Sequence, residues 1–129
     1  MDTTQWIEAA AVLAVVVLLV RRNIRRRAVP RISAKECADG GAGRGKDLFL
    51  DVRTGTERSA GNIPGSLHIP LHELPGRLGE LDRHRNKRII CYCQSGSRSL
   101  AATTLLLRNG FTAVSLDGGI AEWNFHRLG

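Results

Sequence analysis

The stretch from Ile89 to Ser99 constrains the fold more than any other part of the chain. It begins with a short apolar run, Ile89–Tyr92, which is typical of a strand buried on both faces of a sheet. Small polar residues follow at 94–97, and from Arg98 onward apolar residues recur at helical spacings of three and four. The sequence therefore predicts a strand, a tight turn and a helix in direct succession, with Cys93 at the end of the strand.

Three further strands are predicted by apolar runs near residues 48–52, 66–69 and 113–116, which alternate with helical stretches along the chain. Strands that alternate with helices form a parallel sheet with helices on both of its faces. The ligand sites of such sheets lie beyond the carboxyl ends of the strands. We therefore expect an α/β fold in which Cys93 lies at the edge of the sheet where ligands bind.

Cys93 is the candidate nucleophile of this chain. A turn that leads into a helix N-terminus points several backbone N–H groups inward, where they can hold an anion. These groups and the helix dipole favour the thiolate, and cysteines in such positions have pKa values of roughly 3.5 to 7.5 instead of about 8.5. Arg98 adds a planar cation that is suited to an anionic group of a substrate. The alternative is a loop cysteine without a chemical role.

The residues around Cys93 resemble the active-site loop of the rhodanese family, whose pattern is approximately Tyr-Cys-x-x-Gly-x-Arg-Ser. The matching residues are Tyr92, Cys93, Gly96, Arg98 and Ser99. Further similarities follow the order of the family at Leu50–Arg53, Glu57, Gly61–Ser66, Leu116–Ile120 and Trp123. Two positions depart from the pattern: Asn62 replaces the usual His, and Arg58 stands where an aromatic residue is common. The resemblance covers the chain from about Ile32 to its end and implies a rhodanese-like α/β fold.

The resemblance also implies a sulfurtransferase similar to the thiosulfate sulfurtransferases. The Cys93 thiolate would take the outer, sulfane sulfur of a donor such as thiosulfate or a protein persulfide, and hold it as a persulfide. A thiol or a cyanide-like acceptor would then remove this sulfur, so we expect ping-pong kinetics and no cofactor. Backbone N–H groups would stabilise the persulfide, and Arg98 would position an anionic donor. The predicted substrate-binding residues are Gln94, Ser95, Gly96, Ser97, Arg98 and Ser99.

Two other functions stay open at the level of sequence. A group of dual-specificity phosphatases shares this fold and uses a cysteine in a Cys-x5-Arg loop, whereas four residues separate Cys93 from Arg98 here. The shorter loop suits a sulfur atom better than a tetrahedral phosphate. The other alternative is a non-catalytic binding module tethered to a membrane, although the presence of Cys93, Gly96 and Arg98 favours an enzyme.

Neither a metal site nor a disulfide framework is predicted. His68 and His72 have no recognised metal-ligand spacing to Cys91 and Cys93, and we interpret them as surface or packing residues. The chain has three cysteines, an odd number that favours free thiols and a reducing compartment. Cys91 is interpreted as a buried small residue, with a resolving or protective thiol as the alternative.

Several polar residues at and after the end of the first core strand are predicted to stabilise the fold and not to take part in catalysis. The Thr54–Glu57 segment predicts a capping box, in which a hydroxyl and a carboxylate satisfy backbone N–H groups at a helix start. We prefer this interpretation of Glu57 to a catalytic one. Asp51 and Arg53 could reach the ligand-binding edge, but hydrogen bonding within the fold is the favoured role for both.

Residues 1–22 are predicted to form a transmembrane anchor. Ala9–Val20 is an unbroken apolar run, preceded by Trp6, a residue that prefers membrane interfaces. A helix from Trp6 to the end of this run is only about 22 Å long, but Arg21 and Arg22 can extend towards the headgroups. A signal peptide has positive charge before the apolar run, and a buried soluble helix has a polar face; this segment has neither feature.

Residues 23–31 are predicted to be a basic linker, and residues 32–129 the rhodanese-like domain. Six arginines lie between residues 21 and 31 and account for most of the net charge of +7. Because the domain itself is only mildly basic, nucleic-acid binding is not expected. The positive-inside tendency predicts a single-pass protein of the cell membrane with its catalytic domain in the cytoplasm. The same arginines are also attracted to anionic headgroups.

Overall fold

The computed structural model describes residues 2–27, 29–43 and 45–128. The residues at the outer limits of the predicted anchor and domain, 1 and 129, lie outside these ranges. The domain is built on a sheet of five parallel strands in the order β1-β5-β4-β2-β3. The strands are β1 (Arg31–Ser33), β2 (Asp47–Asp51), β3 (Leu67–His68), β4 (Arg88–Tyr92) and β5 (Thr112–Asp117). The predicted α/β parallel sheet is thus confirmed.

Six helices accompany these strands in the described part of the chain. They are α1 (Thr3–Arg27), α2 (Ala34–Glu36), α3 (Gly55–Ser59), α4 (Leu74–Arg77), α5 (Ser97–Arg108) and α6 (Gly119–Leu128). A wider helical turn over Cys37–Gly41 follows α2, and a 3₁₀ helix over Leu78–His84 follows α4. Ser33 caps α2, because its Oγ accepts the Glu36 N–H at 3.0 Å.

The two faces of the sheet bury separate apolar clusters. Along β4, Ile89 and Cys91 belong to one cluster, while Ile90 and Tyr92 belong to the other. The first cluster also takes residues of α4, the 3₁₀ helix and α5, namely Leu74, Leu81, Ala102 and Leu106. The second takes Cys37, Ile120 and the partly buried Trp123. Helices therefore cover both faces of the sheet. The residues of β4 that follow Arg88 form an apolar run because neither face of the sheet meets water there.

The edge strand β1 was not predicted from the sequence. It is three residues long, and of these only Ile32 is buried. Its pairing is with β5 alone, with Arg31 opposite Ser115. A strand this short shows no alternation of apolar and polar residues that distinguishes it from a loop.

The N-terminal helix α1 is longer than predicted, because it continues through residues 23–27 of the segment assigned to the linker. Within the described residues, it is the one helix whose length and composition would let it cross a membrane. The candidate span covers Thr3–Ile24, 22 residues that include an 18-residue window with a mean hydropathy of 1.9, and none of that window is buried against the domain. At 1.5 Å per residue this span is about 33 Å long, which is close to the thickness of a hydrocarbon core.

Candidate active site

The loop that carries Cys93 lies between β4 and α5, at the carboxyl edge of the sheet. Gly96 precedes the first turn of α5 with φ of 109°, a left-handed conformation that favours glycine. The loop is anchored to α6, because the Ile120 N–H donates to the Cys93 carbonyl at 2.9 Å. Gly119 makes this contact sterically feasible, since a Cβ there would overlap the same carbonyl oxygen. The strand, turn and helix predicted from the sequence are therefore confirmed.

The thiol of Cys93 is fully buried and faces backbone N–H groups of the loop. The Gly96 N–H donates to its Sγ at 3.1 Å. Burial alone raises the pKa of Cys93, but the hydrogen bonds to its Sγ outweigh burial. They come from the N–H and the hydroxyl of Ser99 and from the amides of Gly96 and Ser95. The pKa of Cys93 therefore lies below its ordinary value, which is the direction expected from the sequence.

The hydroxyl groups of two buried residues, Ser99 and Ser115, form a hydrogen-bonded chain that ends at this thiol. Ser99 Oγ lies 3.7 Å from Cys93 Sγ, donates to the Gly96 carbonyl at 3.0 Å, and lies 2.7 Å from Ser115 Oγ. When Cys93 is a thiolate, the single hydroxyl proton of Ser99 can turn towards Sγ, and Ser115 then donates to Ser99. The role of Ser115 was missed in the sequence, where its only signal is one polar residue within an apolar strand.

We expect removal of these hydroxyl groups to raise the pKa of Cys93. Ser99→Ala removes a direct donor and should raise the pKa by about one unit, and Ser115→Ala, which removes an indirect one, by about half a unit. The measurement is the pH dependence of Cys93 alkylation by iodoacetamide. Thr104→Ala is a suitable control, since that hydroxyl donates to the Leu100 carbonyl within α5. An unchanged midpoint in both serine variants would contradict this account.

Arg98 lies at the start of α5, and its guanidinium is held by the carboxylate of Glu57. Its two Nη atoms donate to the two Oε atoms of Glu57 at 2.6 and 2.7 Å. Glu57 also completes the predicted capping box of α3 with Thr54, which is confirmed. The hydrogen bonds from Arg98, assisted by those from Thr54, lower the pKa of Glu57 to about 2. The sequence interpretation identified the cap but missed the pairing with Arg98.

The other predicted loop residues form the rim of the site. Gln94, Ser95 and Ser97 are exposed, and Gly96 is half-buried. Beside the loop, a cavity of about 300 Å³ opens between the segments that follow β2 and β3. Its lining residues are Val52, Thr54, Pro70, Leu71, His72 and Arg98. The cavity thus brings Arg98 together with residues that the sequence did not assign to the site.

The remaining candidate ligands and thiols have other surroundings. Among the described residues, no group of three or more His, Cys, Asp or Glu side chains could hold a metal ion. His68 contacts the Arg53 carbonyl with Nε2 at 2.7 Å, which fits a packing role. Cys37, Cys91 and Cys93 are all free. Complete burial raises the pKa of Cys91 to about 12, so it is protonated and unreactive at neutral pH.

A buried network beneath the site centres on Asp51. Its carboxylate accepts hydrogen bonds from Arg53 at 2.8 and 3.0 Å, from Arg58 at 3.2 Å and from the Tyr92 hydroxyl at 3.1 Å. Arg58 also donates to the Ser66 carbonyl at 2.9 Å. Arg58, which departs from the family pattern, thus has a structural partner here. The favoured structural roles of Asp51 and Arg53 agree with these contacts.

The fold and the loop together define a domain that holds a cysteine nucleophile in a cradle of backbone amides. The chain belongs to the rhodanese-like domain family, whose model matches residues 33–126. This match confirms the resemblance seen in the sequence.

The relatives of this chain include sulfurtransferases. It is 39% identical over 82 residues to a sulfurtransferase of Allochromatium vinosum, covering 63% of this chain and 75% of the relative. It is 38% identical over 86 residues to thiosulfate sulfurtransferase 16, chloroplastic, of Arabidopsis thaliana, covering 58% and 72%. The crystal structure of a rhodanese-related protein from Thermoplasma volcanium matches with a TM-score of 0.67 and 31% identity, covering 75% of this chain and 92% of that one. These similarities support a general role in sulfur transfer.

Proposed function

We propose that this protein moves a sulfane sulfur from a donor to a thiophilic acceptor through a persulfide on Cys93. The donor is thiosulfate or a persulfide, and the acceptor is a thiol or a cyanide-like nucleophile. The observation that carries this proposal is the position of Cys93 Sγ, which is buried and accepts the Gly96 N–H at 3.1 Å. Hydrogen bonds of this kind favour the thiolate, which is the nucleophilic form of cysteine.

In the first half-reaction, the Cys93 thiolate attacks the outer sulfur of the donor. The new bond is a disulfide-type S–S bond, and the bond between the outer sulfur and the rest of the donor breaks. With thiosulfate the leaving group is sulfite, which departs with the bonding electron pair. In the second half-reaction, the acceptor attacks the outer sulfur of the Cys93 persulfide and restores the thiolate. No electrons are exchanged with a cofactor.

The loop is suited to hold the anionic persulfide between the two half-reactions. Amides of Ser95, Gly96 and Ser99 already bond Sγ, so they face the region in which the negative charge resides. Their orientation is fixed by the loop and by the start of α5, and the charge therefore needs no reorganisation of the site. The four residues between Cys93 and Arg98 also differ from the five of the phosphatase loop, and the shorter loop suits a sulfur atom better than a tetrahedral phosphate.

The sulfur-transfer proposal is tested by weighing the intact protein. The full chain in detergent is incubated with thiosulfate, or with an organic persulfide, and freed of donor. We expect the mass to increase by one sulfur atom and to return to its starting value after addition of a thiol or cyanide. Hydrolysis of an aryl phosphate without any sulfur loading would favour a phosphatase instead. Absence of both sulfur loading and phosphate hydrolysis would favour a binding module.

We further propose that α1 anchors the protein in the cell membrane, with the domain in the cytoplasm. The exposed apolar length of Thr3–Ile24 supports the anchor, and the arginines that follow support the orientation. Trypsin added to intact cells should leave the chain uncut, and after permeabilisation it should cleave within residues 21–31. A membrane protein with a known external domain must be cut in the first sample. Cleavage of this chain in intact cells would overturn the orientation.

A further inference from the structure

The cation that the sequence assigns to donor binding is already paired with a carboxylate. Both Nη atoms of Arg98 face the Glu57 carboxylate, and the two side chains are 34% and 30% exposed. Glu57 lies on α3 and reaches Arg98 across the mouth of the loop. An incoming anionic group therefore meets a neutralised ion pair instead of a single positive charge.

Arg98 is close enough to the nucleophile for its charge to matter. The pKa of Arg98 is raised, first by the hydrogen bonds to Glu57, and also by the negative charge of Cys93. The same proximity applies to a donor held for attack by Cys93, since its anionic group must lie near the mouth of the loop. Glu57 is ionised at all pH values well above 2. Its negative charge therefore repels the anionic group of the donor and opposes the attraction by Arg98.

The other arginines behind the loop are engaged elsewhere. Arg53 is 3% exposed and bonds Asp51 in a bidentate arrangement, and Arg58 is shared between Asp51 and Ser66. In the cavity beside the loop, within the part of the chain that the structure describes, Arg98 is the one lysine or arginine side chain of the lining. Most of that lining is apolar, so the cavity adds little attraction for a doubly charged donor.

We infer that Glu57 determines donor specificity by screening Arg98, so that the site selects sulfane sulfur attached to a neutral or singly charged group. This inference rests on the proposed sulfur transfer. The favoured donor class is organic persulfides and thiosulfonates, and the disfavoured donor is the thiosulfate dianion. Thiosulfate brings two negative charges to a thiolate beside a carboxylate, whereas an organic persulfide presents a neutral group next to its outer sulfur.

Two donors with the same bond chemistry separate the effect of charge from other effects. Thiosulfate carries two negative charges and releases sulfite, and methanethiosulfonate carries one and releases methanesulfinate. In both cases the Cys93 thiolate forms an S–S bond to the outer sulfur, and the sulfur–sulfur bond of the donor breaks with its electron pair on the leaving group. The total charge is conserved in each reaction.

Glu57→Gln removes the negative charge with little change in shape. Gln also completes a capping box, so the start of α3 should be retained. Because Coulomb energy is proportional to donor charge, we expect KM to fall about tenfold for thiosulfate and about threefold for methanethiosulfonate, with kcat nearly unchanged. Both factors should shrink at high salt.

Glu80→Gln is the matched control. It breaks another bidentate pair, in which Arg77 donates through Nε and Nη2 to Glu80 at 2.6 and 3.0 Å, on an exposed surface outside the loop. We expect its KM values to equal those of the wild type. A merely structural role of Glu57 would change the kcat or the folding of Glu57→Gln and would affect the two donors equally.

The outcomes are distinguishable from failure of the proposed function. If the wild type loads sulfur but Glu57→Gln changes both KM values by the same factor or raises the value for thiosulfate, the inference alone is overturned. If the wild type takes no sulfur from either donor, the proposed function fails and the inference fails with it. Should the variant not fold, the wild type decides, since a lower KM for thiosulfate than for methanethiosulfonate would also overturn the inference.

Discussion

Cys93→Ser is expected to abolish sulfur transfer, with a loss of rate of at least about 1000-fold. Ser occupies nearly the same space and keeps a hydrogen-bonding group, but its hydroxyl does not ionise near neutral pH and forms no persulfide. The backbone amides that bond Sγ then have no anion to stabilise. The measurements are steady-state rates with an organic persulfide donor and the mass of the intact protein after donor treatment, which should show no added sulfur.

The other two cysteines provide matched controls for this prediction. Cys37→Ala and Cys91→Ala remove thiols that burial keeps protonated, because it raises the pKa of both groups. Both variants should load one sulfur and retain their rates, apart from any loss of stability caused by the smaller side chain. Persistent loading of Cys93→Ser, together with loss of loading in Cys91→Ala, would show that the nucleophile is Cys91 and not Cys93.

Asp51→Asn is expected to lower the free energy of unfolding by about 3–5 kcal/mol, because it leaves buried positive charge without its partner. Asp51 is completely buried and Arg53 is 3% exposed, so water cannot replace the lost carboxylate. Arg58 and the Tyr92 hydroxyl also donate to this carboxylate, and Asn offers these donors one oxygen instead of two. The measurement is urea unfolding followed by circular dichroism. The Asn side chain preserves the volume, so the loss would reflect charge and hydrogen bonding more than packing.

An exposed ion pair provides the control for Asp51. Asp82 accepts from Arg85 at 3.0 Å, with side chains that are 60% and 46% exposed, and Asp82→Asn should cost less than about 1 kcal/mol. Equal losses in the two variants would show that the buried network contributes nothing beyond a surface pair.

The pH dependence of stability gives a second test of the Asp51 network. Burial raises the pKa of Asp51, but the hydrogen bonds from Arg53 and Tyr92 outweigh it, and the pKa lies below the ordinary value of 3.8. The unfolded chain therefore binds the proton first as pH falls. The stabilisation is fully present above about pH 4 and is lost as pH falls through the lower pKa of the folded state. Asp51→Asn should lack this part of the acid-induced loss.

Local patterns in the chain were sufficient to predict most of the fold and the nucleophile. The run from Ile89 to Tyr92 predicted a strand buried on both faces, and β4 has that position because its side chains alternate between two apolar clusters. Four of the five strands and the cap at Thr54 also followed from short stretches. The placement of Cys93 at a strand end before a helix start is a local property, so its amide cradle could be expected as well.

Tertiary structure alone decided which side chains surround the nucleophile. Glu57 and Arg98 are 41 positions apart, and Ser99 and Ser115 are 16 apart, so no local pattern joins either pair. The pairs meet because parallel strands bring the segments that follow them to one edge of the sheet. The edge strand β1 likewise exists only through its pairing with β5. Backbone propensities act over a few residues, whereas these contacts depend on the packing of the complete sheet.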